Sequence, residues 1–201
     1  MIPKIIIKPA YFLDPVFIGY VKSNPRNKDW EPPTDKEVLG KIDAYRKEWG
    51  KHESKILEGL FKVSCLSFYD NVIDVYIVSA CKSPFSDPIV IPATYTPETF
   101  VDVLTHELIH RLLTRNREGI DFENLLSQVF IEEDNKVKVH IFVHAVHQAL
   151  YLDVFNDKIR LEKDIERSAH MTSYQKSWDL VDKTGYTNVL SILKEKLKAR
   201  Y

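Results

Sequence analysis

The sequence predicts an α+β fold: a small mixed sheet with its helices, followed by an all-helical C-terminal part. Three observations predict it. Every strand-like run, short and rich in Ile, Val, Phe and Tyr, falls before residue 93. Two strongly capped helical patterns are interleaved with those runs. From about Gly119 onward only helical periodicity remains. The expected division is therefore an N-terminal α+β part, residues 1–118, and a C-terminal helical part, residues 119–201.

Residues 2–8 and 16–21 read as strands from their β-branched and aromatic content. Residues 23–33, SNPRNKDWEPP, form a surface loop. Thr34-Asp-Lys-Glu37 is a capping box that opens a helix. Val38, Ile42, Tyr45, Trp49, Ile56 and Leu60 share its apolar face, and Gly59 is its expected stop. Residues 61–68 and 72–78 read as two strands, and their short polar join suggests a hairpin. Residues 88–92, PIVIP, read as an edge strand, because proline cannot donate to a ladder.

Thr96-Pro97-Glu98 supplies an N-cap, a first-turn proline and a first-turn acid, so a helix is expected over 97–115. Asp121 caps a further helix through Phe130, and a long apolar helix follows over 135–155. A charged helix over 157–167 comes next, then one opened by Thr172 and ended by Gly185. Thr187 caps a last amphipathic helix, whose Lys194, Lys196, Lys198 and Arg200 suit the negative end of its dipole.

Composition excludes several function classes. The 201 residues carry 28 basic and 29 acidic side chains, far from the basic footprint of a nucleic-acid binder. Hydrophobic residues at 44% and charged residues at 28% exclude wholesale disorder. No apolar run is long enough to predict a spanning helix, and the opening MIPKIIIK is too short and interrupted for a signal peptide. Two cysteines, Cys65 and Cys81, make neither a disulfide framework nor a thiolate metal site. The expectation is a cytoplasmic protein, monomeric or weakly dimeric, with no nucleic-acid or membrane partner.

The seven histidines are more informative. His106-Glu107-Leu108-Ile109-His110 is H-E-x-x-H inside the helix expected over 97–115. Residues four apart share a helical face, so both imidazoles can ligate one ion. Glu107 is displaced by about 100° round the helix, where it can reach a water without ligating the metal. Phe100, Val103, Leu104, Leu108, Leu112 and Leu113 give the helix a packing face. The plain alternative is a solvated helix face that carries two histidines.

A catalytic zinc needs a third protein ligand. Leu113 and Asn116 stand where H-E-x-x-H-x-x-G-x-x-H would have Gly and His, so that extension is absent. The helix expected over 135–155 offers His140, His144 and His147, which fall within about 60° of arc, with Tyr151 on the same stripe. His144 is central in the apolar run and is the favoured ligand. His140 and His147 are the alternatives, or auxiliary groups one turn away. Carboxylate candidates are Glu132, Glu133, Glu162 and Glu166. Tyr151, His147 and His170 are candidates for stabilising an oxyanion.

His106-Glu-Leu-Ile-His110 resembles the active-site helix of zincin metallopeptidases, the thermolysin-like gluzincins included. The order of elements over residues 34–155 is similar to that of the small archaeal minigluzincins. The resemblance implies a zincin-like fold, with a backing helix from Thr34 and an active-site helix over 97–115. It implies Zn2+ held by His106 and His110, with Glu107 as general base. It also implies a zinc-dependent metallopeptidase that hydrolyses peptide or protein substrates through a zinc-activated water. Gluzincins carry a glutamate on the later helix; this chain departs from them with histidines. H-E-x-x-H also resembles deformylases, in which Cys81 would be the nearest candidate for their cysteine ligand. The non-enzyme alternative is a structural-zinc site, or a latent or inactive zincin-fold interaction module, with shielding supplied by the loop over 23–33 or by the helices after Asn156.

Overall fold

The structure, a computed structural model, describes residues 2–116, 125, 130, 131 and 133–198, the side chains of 196–198 excepted. The fold class is α+β. A four-stranded mixed sheet is joined by eight α-helices among the described residues. None of the described helices is long and apolar enough to cross a membrane. The chain divides into two compact units, Met1–Ser54 with Phe68–Arg111, and Lys55–Ser67 with Leu112–Tyr201.

In the first unit the strands are β1 (Lys4–Pro9), β2 (Val72–Val78), β3 (Phe85–Ser86) and β4 (Ile89–Pro92), in the spatial order β1-β2-β4-β3. β1 and β4 both run parallel to β2, and β3 pairs antiparallel with β4. Alternation along β2 buries Ile73, Val75 and Ile77 on one face. Helix α2 (Asp35–Gly50) packs on β1 and β2 through Val38, Ile42, Tyr45 and Trp49. The capping box is present, with Glu37 N–H donating to Thr34 Oγ1 and Thr34 N–H to the Glu37 carboxylate. Helix α4 (Pro97–Arg115) starts and stops where its sequence signals predict. Thr96 caps it by accepting from Thr99 N–H at 3.2 Å.

Four readings of this region are corrected. Residues 16–21 are helical, within α1 (Asp14–Lys22). Pro15 sits in the first turn, and the Asp14 carboxylate accepts from Ser79 N–H and Oγ at 2.6 and 2.8 Å. That long-range tie and the docking of Leu13 and Phe17 on Ala10, Val78 and Val90 override local β-propensity. Residues 61–64 end a helix, so the expected hairpin with 72–78 does not form, and β2 pairs only with parallel neighbours. A short apolar run has no periodicity of its own to separate helix from strand. The capped helix breaks after Gly50, and α3 (Glu53–Ser64) begins again beyond Lys51 and His52. β4 is not an edge, because β3 covers its outer flank at Ile89 and Val90.

The second unit holds most of α3, then α5 (Asn135–Ala149), a π-helical turn over Leu150–Phe155, α6 (Lys158–Ser168), α7 (Thr172–Thr184) and α8 (Tyr186–Lys198). α5 is its core: it packs on α7 and α8 and buries Ile141, Phe142, Val143, Ala145 and Val146. Gly59 does not stop α3. It lets the helix approach the π-helical turn, where an added Cβ would lie 2.5 Å from Leu150 Cδ1 and 3.1 Å from Val154 Cγ1. Gly185, at φ 84°, does end α7. The helix expected from Asp121 through Phe130, and the candidate ligand Glu132, lie outside the described residues apart from Leu125 and Phe130.

Candidate metal centre

The H-E-x-x-H segment lies in the middle of α4, not at a frayed end. Phe100, Leu104, Leu108, Ile109 and Leu112 are buried around it, which fixes the helix rotation. Arg111 adds a polar anchor. It is buried beside His110 and reaches the Asp70 carboxylate at 2.8 Å and that of Asp87 at 2.7 Å. The sequence reading missed this anchor, because neither aspartate is near Arg111 along the chain.

His106 and His110 are half-buried. Their Nε2 atoms approach to 3.1 Å, with ring centroids 4.8 Å apart. Both rings therefore turn the same nitrogen toward one point. Glu107, one position on, is only 7% exposed. Burial alone pushes its carboxyl up to about 8. Cys81 is close enough to feel that carboxylate, and burial first, then Glu107, pushes its thiol up to about 12.

The three histidines of α5 are in three different environments. One ligand nitrogen from each of His106, His110 and His140 lies within 4.8 Å of the others. Three histidines are thus positioned where they could hold a metal ion. His140 Nδ1 is 2.7 Å from the Lys136 carbonyl. A carbonyl can only accept, so Nδ1 donates, and the neutral ring keeps its lone pair on Nε2. Burial lowers the His140 pKa and so favours that neutral form.

His144, the favoured ligand on sequence grounds, is engaged elsewhere. Its Nδ1 is 2.8 Å from Ser177 Oγ, which itself donates to the Tyr174 carbonyl at 2.8 Å, so His144 is the donor to the hydroxyl. Its ring lies flat on Trp178, with centroids 3.9 Å apart and planes at 2°. His144 is 1% exposed and His147 0%, so the central histidine of the stripe is not its most buried one. The burial of His144 comes from α7, a partner that sequence periodicity does not reveal. His147 is fully buried against Tyr151, and its Nδ1 lies 3.3 Å from the Asp164 carboxylate. That carboxylate is already paired with Arg167. Burial first, then the charges of Arg167 and Arg160, pushes the imidazole down to about 3.

Most of the remaining candidates have partners of their own. Tyr151 stacks on His147 and lies under the Arg160 guanidinium. His170 is exposed, with Nδ1 3.0 Å from the Arg167 carbonyl. Glu133 pairs with Lys176 at 2.6 Å, Glu162 with Lys158 at 3.5 Å, and Glu166 is exposed. No family model, curated protein or solved structure matches this chain.

Proposed function

We propose that this chain is a zinc-dependent peptidase of the zincin type, with His106, His110 and His140 as metal ligands and Glu107 as general base. The observation that carries this reading is the position of Glu107. It is a buried carboxyl, raised to about 8, on the same helical turn as two imidazoles whose Nε2 atoms converge. Such a displaced group beside a convergent donor set is typical of catalytic sites.

The donor set suits zinc. Metal–nitrogen bonds of about 2.0–2.1 Å put tetrahedral ligands about 3.3 Å apart, and the His106–His110 separation of 3.1 Å is close to that. The group among the described residues comprises three side chains, the number usual for a catalytic zinc rather than a closed structural one. Bound there, zinc would supply a Lewis acid that polarises an amide carbonyl and acidifies water. Glu107 accepts the proton of the attacking water and delivers it to the leaving amine nitrogen. Burial keeps its proton affinity near neutrality, so it can both take and return that proton. The Lys136 carbonyl holds His140 in the tautomer with its lone pair on Nε2.

Glu107→Gln tests the assignment against a peptide library. The variant is expected to keep its zinc and to lose about 10²–10⁴-fold in kcat. Full activity with zinc retained contradicts the role given to Glu107.

A further inference from the structure

We propose that α7, which carries none of the three grouped histidines, aims His140, and that Tyr174 is the positioning residue. The inference rests on the metal-centre reading above. The hydrogen bond from Nδ1 to the Lys136 carbonyl fixes one edge of the imidazole. Tyr174 supplies the second constraint. Its ring lies 4.1 Å from the His140 ring, with planes at 41°. His144 closes the triangle, 5.6 Å from His140 and 5.4 Å from Tyr174.

The triangle is braced on the α7 side. The Tyr174 carbonyl accepts from Ser177 Oγ, and that oxygen accepts from His144 Nδ1. The His144 ring is held flat against Trp178, whose Nε1–H donates to Ser168 Oγ at 3.1 Å. Lys136 touches both ends. Its carbonyl orients His140, and its ammonium lies 5.8 Å from the centre of the Tyr174 ring. His144 thus registers α5 against α7, and Tyr174 passes that register to the His140 ring. Outer groups that orient a metal-binding imidazole typically govern affinity by about 10- to 100-fold.

The test uses the full chain, titrated with zinc against a competing chelator, with the visible spectrum of the cobalt-substituted protein as a second readout. Tyr174→Leu keeps apolar bulk but loses the flat ring. It is expected to weaken zinc binding by about 10- to 100-fold and to alter the cobalt spectrum. Tyr174→Phe keeps the ring and restores both. Ser177→Ala removes one hydroxyl from the brace and weakens zinc by about 2- to 10-fold, the worth of one hydrogen bond; it decides alone if the leucine variant does not fold. Unchanged affinity and spectrum in Tyr174→Leu, with only a lower Tm, overturns the proposal. Equal weakening in the phenylalanine variant also overturns it, since the hydroxyl and not the ring would then matter. His106→Ala checks the underlying reading separately. If that variant binds zinc as tightly as the native chain, the metal centre fails and the positioning role with it.

Discussion

The histidine pair on α4 and the two inner histidines of α5 are the same chemistry in opposite settings. His106 and His110 are half-buried and turn their Nε2 atoms toward each other. His144 and His147 are sealed inside the second unit against Ser177, Trp178, Tyr151 and Asp164. The acids differ in the same way. Burial alone displaces the Glu107 carboxyl, while Asp164 is buried against Arg167. Imidazoles at helical spacing therefore do not by themselves mark a site. What separates the two sets is their setting: the α4 rings converge on each other at a half-buried position, whereas the inner α5 rings are packed against groups of their own unit.

The largest effect that sharpens this contrast is on the pH dependence of stability in the metal-free protein. The Glu107 carboxyl stands at about 8, above its usual 4.5. Its contribution is fully present below pH 4.5 and is lost as pH rises through 8. The His147 imidazole stands at about 3, below its usual 6.5. Its contribution is present above pH 6.5 and is lost as pH falls through 3. Each displacement corresponds to about 5 kcal/mol. Urea unfolding across this range is expected to lose its alkaline slope in Glu107→Gln and its acid slope in His147→Leu. Slopes that survive both substitutions break the contrast.

A smaller effect is expected at Trp178. Removing its ring by Trp178→Ala takes away the plate under His144 and should cost about 3–5 kcal/mol in urea unfolding. Gly59→Ala places a Cβ against the buried Leu150 side chain and should cost about 1–3 kcal/mol, even though alanine favours the helix. An unchanged midpoint there would mean that α3 does not lie close against the π-helical turn. The smallest effect belongs to the α4 pair: His106→Ala and His110→Ala should change metal-free stability by less than about 1 kcal/mol. A large loss in either would place these histidines with the scaffold.

Much of this contrast was legible before any coordinates. α4 carries its own start and stop signals, and the H-E-x-x-H spacing follows from the helical repeat alone. Its predicted bounds and its observed bounds agree. The stripe on α5 was also legible, because periodicity places His140, His144 and His147 on one face. Which of them the later helices engage was not. That choice depends on Tyr174, Ser177 and Trp178, about 30 residues further along and carrying no spacing signature. The same physics explains the misread strands. Residues 16–21 follow a tertiary tie through Asp14, and residues 61–64 belong to a helix whose apolar face packs on a distant turn. Local propensity is silent about partners of that kind.

The most direct measurement is zinc-edge anomalous scattering from crystals of the zinc-loaded chain. The account predicts one peak within bonding distance of a ring nitrogen of His106, His110 and His140, with no fourth protein ligand. A peak on His144 or His147, or a fourth side chain closing the site, would contradict it.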